Sequence, residues 1–403
     1  MGFDGSEIDS LLSGAVAGGT FDGVVAMALD RDGVLYQGAA GDAAPHAMFR
    51  NASMTKALTT TGALQLLERG LLRLGQTVES VLPEFGRLQV LEGFDGEQPI
   101  LRPPASKATI GQLMTHTSGL GYGFLDERLL RYSRAVGLPD VLSGKRASLS
   151  APLLHDPGTV WEYGTSTDWL GLVVERISGQ TLGAHLAEHV CEPLGMIDST
   201  FHPTAEQRSR LMPLQMRAAD GSLQPAEIEM PAEPEWDAGG HGSYGTARDY
   251  GRFIRAWLND GELDGRRVLD GGTVAAAFED HIEGIPLPGV MRSFIPELSN
   301  DVPASPVPEG WGLGFHLVRA GLPGMRSAGS GNWAGIFNTY FWIDRAAGIG
   351  GLLMTQVLPF YDARIVDALI AFETAVYTQV GAPAPGARIG SPTAVARPTS
   401  SPS

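Results

Sequence analysis

The sequence predicts a mixed α/β (α+β) fold, with an antiparallel sheet flanked by helices and interrupted by a large, mainly helical insertion. Three observations carry that reading. Strand patterns stand near both ends of the chain, helical patterns fill its middle, and a long amphipathic stretch follows the last strand pattern. Residues 21–29 are rich in valine and alanine, and Asp30-Arg31-Asp32-Gly33 separates them from Val34-Leu35-Tyr36, which spells a hairpin with an Asp-Gly turn. From Ser53 to Arg69 the pattern becomes helical, with Gly70 placed as a stop. Residues 168–177 and 181–190 read as helices between loops carrying Pro103-Pro104, Asp156-Pro157-Gly158 and Pro193. Beyond Trp236, residues 313–318, 336–343 and 349–355 read as neighbouring strands bounded by glycines, with 329–335 a flexible glycine-rich run leading into the second of them. Residues 363–380 place Ile365, Leu369, Phe372 and Val376 on one helical stripe that would cover the sheet. The expected division is therefore residues 1–73 with 234–380 as a discontinuous sheet domain, 74–233 as the helical domain, and 381–403 as a disordered tail of Pro, Ala, Ser, Thr and Gly.

Composition narrows the function classes. The 403 residues are 43% hydrophobic, enough for a sizeable core. A net charge of -16 repels phosphate backbones and argues against a nucleic-acid partner. Cys191 is the lone cysteine, so no internal disulfide forms. The start is acidic, without a signal-peptide pattern, and no run approaches the roughly 20 apolar residues of a membrane helix. The expectation is a cytoplasmic protein with no membrane partner, and its oligomeric state is left open.

Chemistry concentrates at Ser53-Met54-Thr55-Lys56. Residues three apart share a helix face, so the Lys56 amine lies beside the Ser53 hydroxyl, where a partly desolvated lysine activates or relays for a serine nucleophile. The unpaired N–H groups of a helix start favour a developing oxyanion at Ser53. Two glycine-rich segments, 239–245 with His241 and Ser243, and 329–335, suit close backbone approach to a substrate, and Tyr163 stands in a loop just before a helix.

These segments together resemble the serine β-lactamase and penicillin-binding-protein superfamily, most closely its class C-like carboxylesterase branch, the family VIII esterases. The resemblance is carried in order by Ser53-Met54-Thr55-Lys56, by Leu113-Met114-Thr115-His116-Thr117-Ser118-Gly119-Leu120, by Asp156-Pro157-Gly158 running to Tyr163, by Pro193-Leu194-Gly195-Met196, by the Gly239-Gly240 loop and by Trp333-Ala334-Gly335. It implies a β-lactamase/transpeptidase-like fold, Ser53 as nucleophile, Lys56 and Tyr163 as proton-transfer groups, and the backbone N–H groups of Ser53 and Ile336 as the oxyanion hole. Trp333, Ala334, Gly335, Tyr122, Trp236 and His241 are the expected substrate contacts, Phe124 and Trp311 further candidate walls, and no cofactor or metal is called for. Two departures matter. Thr165 stands where β-lactamases of this type carry an asparagine, and Trp333 where they carry a lysine or histidine that meets the antibiotic carboxylate. Both changes favour uncharged ester substrates, small molecules cleaved through an acyl-enzyme. The same three residues also permit acyl transfer to an alcohol or amine, amide hydrolysis, or a receptor that acylates without turnover.

One rival pattern is His185-Leu186-Ala187-Glu188-His189, the H-x-x-E-H spacing of some zinc sites, but the sequence offers it no third ligand. A G-x-S-x-G nucleophile elbow is absent, which disfavours an α/β-hydrolase.

Overall fold

The computed structural model describes residues 3–381 apart from 229, 230 and 232. The expected tail thus lies almost wholly outside the described residues. Among these, the principal sheet has seven antiparallel strands: β1 (Gly23–Asp30), β2 (Val34–Gly41), β3 (Glu309–Trp311), β4 (His316–Val318), β5 (Ser330–Gly335), β6 (Thr339–Asp344) and β7 (Ile349–Met354), in the spatial order β3-β4-β5-β6-β7-β1-β2. The N-terminal hairpin therefore docks onto the strands from the other end of the chain. Its turn is closed by Asp30, whose Oδ1 accepts from the Asp32 N–H at 2.9 Å and the Gly33 N–H at 2.7 Å.

Strand β1 explains why both faces of the sheet are covered. Its residues 23–29 are all buried. Val25, Met27 and Leu29 enter one hydrophobic cluster while Val24, Ala26 and Ala28 enter another, the period-two alternation of a strand between two layers. On one face pack α1 (Ser6–Ala17) and the C-terminal helix, through Ile8, Leu12, Ile365, Leu369, Phe372 and Val376. On the other lie α2 (Thr55–Glu68), α3 (Ser166–Ser178) and α4 (Ala247–Leu258). The C-terminal helix is α5 (Ala363–Val380), with the expected bounds and the expected buried stripe.

Helix α2 is buried almost all round, so its polar residues must be satisfied internally. Thr59 donates to the Gly239 carbonyl at 2.8 Å, and the Gln65 amide donates to the carbonyls of His189 and Val268 at 2.8 and 2.9 Å.

Several expectations are corrected. Residues 329–335 are not a flexible run: 330–335 form β5, and the strand expected at 336–343 begins at Thr339 after a turn in which Asn338 has φ 56°. Small residues conceal a strand from pattern reading, because Gly331 and Gly335 have no side chain to alternate. The strand expected at 313–318 is confined to β4 at 316–318, which pairs with β3 in a hairpin that turns at residues 312–315. Helix α4 went unread behind a glycine-rich loop, although Thr246 caps it by accepting from the Asp249 N–H at 3.2 Å. The middle segment also contains two β-hairpins, Val90–Asp95 with Gln98–Arg102 and Leu214–Arg217 with Leu223–Ala226. The second pairs in parallel with Val357–Leu358, which ties the middle of the chain to its C-terminal part.

Candidate active site

Ser53 sits in a single 3₁₀ turn, Ala52–Met54, immediately before α2. The residue before it is strained: Ala52 has φ 46°, a left-handed conformation that costs a non-glycine residue on the order of 1–3 kcal/mol. The 239–245 loop holds this turn in place. The Asn51 N–H donates to the Ser243 carbonyl at 3.0 Å, its side-chain amide to the Ser243 hydroxyl at 3.0 Å, and the Ser243 N–H to the Thr55 hydroxyl at 3.1 Å.

Lys56, one turn into the helical stretch, is 2% exposed. Its Nζ donates to Ser53 Oγ at 3.1 Å, to Tyr122 Oη at 3.1 Å and to the Gly240 carbonyl at 2.8 Å, so all three ammonium protons have acceptors. The ammonium also lies 4.7 Å from the centre of the Tyr163 ring and 5.2 Å from that of Tyr122. Burial pushes the Tyr122 hydroxyl well above the usual tyrosine range, with the Asp168 charge adding to it, so Tyr122 stays a neutral phenol. Burial, reinforced by Lys56, pushes His116 well below the usual histidine range, so its imidazole is neutral.

Tyr163 reaches the site from the loop before α3, and its hydroxyl accepts from the Trp333 indole N–H at 3.0 Å. Trp333 lies on β5 and packs edge-to-face on Tyr163 and Trp311, with ring centres 4.9 and 4.7 Å apart. Beyond Trp333, β5 runs against the nucleophile turn: a Cβ on Gly335 would lie 2.5 Å from the Asn51 carbonyl oxygen, so only glycine allows this approach. Ile336 follows at the end of the strand.

Ser53, Tyr122, Tyr163, His241, Trp333, Ala334 and Ile336 line one cavity of about 390 Å³, with Phe124, Leu287 and Met291 among its apolar walls. Strand β4 pairs with β5 only as far as Asn332, so the edge at 333–335 is open towards this space. Because Trp333 and Ala334 point to opposite faces, the cavity continues round that edge to Tyr340, Trp342 and Leu369 on the α5 side of the sheet.

The expected contacts divide. Tyr122, expected as a pocket wall, has its hydroxyl on the Lys56 amine. Trp236 is 4% exposed and lines a separate small pocket, which His241 shares. Trp311 is 1% exposed, and its indole N–H donates to the Met114 carbonyl at 3.1 Å, which makes it support behind the cavity. The rings of His185 and His189 pack 4.6 Å apart, and His185 Nδ1 lies 3.3 Å from the Gln180 side-chain oxygen. Among the described residues no group of three or more His, Cys, Asp or Glu is placed to hold a metal ion. Sequence reasoning passed over Asp168 entirely, since an acidic residue in the first turn of a helix is ordinary. Among the described residues no helix is long and apolar enough to cross a membrane.

An antiparallel sheet covered by helices on both faces, with a serine-lysine pair at the start of a buried helix, defines the class of serine β-lactamase and penicillin-binding-protein folds. The family model described as Beta-lactamase matches residues 8–375, and the chain belongs to that family. Its relatives include lovastatin esterase of Penicillium rubens, 31% identical over 93% of this chain and 99% of the relative. Monacolin J acid methylbutanoyltransferase of Aspergillus terreus is 34% identical over 82% of each chain. The solved structure of unliganded simvastatin synthase from Aspergillus terreus superposes with a TM-score of 0.80 at 29% identity, covering 94% of this chain and 98% of that one.

Proposed function

We propose that the protein is a serine carboxylesterase that forms an acyl-enzyme on Ser53. The observation that carries the reading is the buried Lys56 amine, 3.1 Å from the Ser53 hydroxyl at the edge of an apolar cavity. Ser53 Oγ attacks the ester carbonyl, and its proton passes through Lys56 and the Tyr163 hydroxyl to the leaving alcohol, so the C–O bond of the ester breaks as the Ser53 ester forms. Water then attacks the acyl group, returns a proton to Ser53 Oγ and releases the acid. The N–H groups of Ser53 and Ile336 receive the oxyanion in both steps, and one such donor is typically worth about 2.7–4 kcal/mol. Trp333 supplies a flat apolar face where a cation would suit a carboxylate-bearing β-lactam.

A second reading, acyl transfer to an alcohol, is supported by the likeness to a methylbutanoyltransferase. It needs no other residue, because the acceptor takes the place of water.

The test is turnover of short-chain p-nitrophenyl esters by the protein and by Ser53→Ala, with nitrocefin in parallel and a competing alcohol added. Expected are ester turnover, a loss on the order of 10³-fold or more in the variant, an acyl adduct on Ser53 and little turnover of nitrocefin. Transferred ester formed with the alcohol would favour the second reading. Full activity in Ser53→Ala would overturn both.

A further inference from the structure

Asp168, in the first turn of α3, is 0% exposed. Its Oδ1 accepts from the Gly240 N–H at 2.8 Å, Tyr122 Oη lies 3.5 Å from Oδ2, and His241 Nδ1 lies 3.5 Å from Oδ1. A carboxylate withdrawn from water costs several kcal/mol unless an opposite charge or strong donors meet it. Lys56 is the cation that the hydrogen bonds lead to, and they lead there twice. The Tyr122 hydroxyl accepts from Lys56 Nζ and turns its proton to Asp168. The Gly240 residue accepts from Lys56 Nζ through its carbonyl and donates to Asp168 through its N–H. A Cβ on residue 240 would lie 2.6 Å from Asp168 Oδ2, so glycine is what lets the loop backbone rest on the carboxylate.

We infer that Asp168 is a positioning residue of this site: through the Tyr122 hydroxyl and the Gly240 backbone it holds Lys56 at the Ser53 hydroxyl. The inference rests on the Ser53–Lys56 reading proposed above. Tyr122 and His116 face Lys56 as neutral groups, Tyr163 presents its ring, and His241 approaches Asp168 from the 239–245 loop. Asp168 is the one carboxylate in this set. It reaches Lys56 across two hydrogen-bonded bridges while leaving the amine free to bond Ser53.

The test is kcat and KM measured separately for a short-chain ester, followed by pH-stat, in the wild type, Asp168→Asn, Tyr122→Phe and Ser53→Ala, each checked for its fold by circular dichroism. Asp168→Asn keeps the shape of the side chain and removes its charge. Expected is a fall in kcat of about ten- to a hundredfold with KM little changed, because the amine is no longer held at the Ser53 hydroxyl. Tyr122→Phe is expected to lower kcat in the same way, with KM little changed, although Asp168 is still present. An unchanged kcat in the folded variants, or a loss carried wholly by KM, overturns the inference and leaves Asp168 a structural group. If Asp168→Asn fails to fold, Tyr122→Phe decides by the same criterion. Wild-type activity in Ser53→Ala would instead sink the Ser53 reading, whereas an inactive Ser53→Ala beside an unchanged kcat in Asp168→Asn sinks the Asp168 inference alone.

Discussion

Trp333 holds two properties of the site in one side chain: an apolar ring in the cavity and an indole N–H on the Tyr163 hydroxyl. Trp333→Phe keeps most of the first and removes the second. A hydrogen bond of this kind is worth about 0.5–1.5 kcal/mol, so kcat is expected to fall up to about tenfold with KM little changed. Steady-state kinetics on a short-chain ester separates this from a packing role, which would raise KM instead. The neighbouring Ser53 and Lys56 were legible as a pair only beside the other ordered segments of the family resemblance, since Ser-x-x-Lys occurs by chance in many chains. The Tyr122 hydroxyl was not, because its partner Lys56 is 66 residues away and nothing local marks a loop tyrosine as pointing inward.

Short helices settle smaller questions of stability. The helix Leu182–Leu186 presents His185 as a buried ring, and burial, with His189 beside it, lowers its pKa to about 4 from a usual 6.5. In the unfolded chain His185 takes a proton near pH 6.5, whereas in the folded protein it does so only near pH 4. The unfolded state thus binds more protons in that window, and stability is expected to fall as pH drops from about 6.5 to about 4. A thermal-midpoint series over pH 4–7 should show a shallower acid slope in His185→Leu than in the wild type. Identical slopes would assign the acid sensitivity elsewhere. The H-x-x-E-H spacing drew attention to this helix because i and i+4 do share a face, and the two rings do touch. Strand β5 is the opposite case: Trp333, Ala334 and Gly335 stand out in the sequence while their strand does not, because glycine and alanine carry almost no side-chain period.

At the scale of the molecule, the connection between β4 and β5 is tied to α5 by a buried ion pair. Arg326 Nε donates to Glu373 Oε1 at 2.8 Å, with Arg326 8% and Glu373 0% exposed, and nearby the Tyr377 hydroxyl donates to Asp344 at 2.9 Å. Glu373→Gln leaves the guanidinium without its counter-charge and is expected to cost about 3–5 kcal/mol in denaturant unfolding. The double variant Arg326→Met, Glu373→Leu, which removes both charges, should recover most of that loss. An equal loss in both would point to shape and not charge. The sequence by itself determined the layered fold and the candidate Ser53–Lys56 pair, since the continuous apolar run of β1, the stripe on α5 and the Ser53-to-Lys56 spacing are each written within a short stretch of chain. Only the tertiary structure decided what surrounds Lys56. Tyr122, Gly240 and Asp168 come from three separate segments, and Gly240 stands 184 residues from the amine it bonds. Spacing within one element sets which side chains share a face, whereas convergence across the chain depends on how buried faces pack, and no local pattern encodes that.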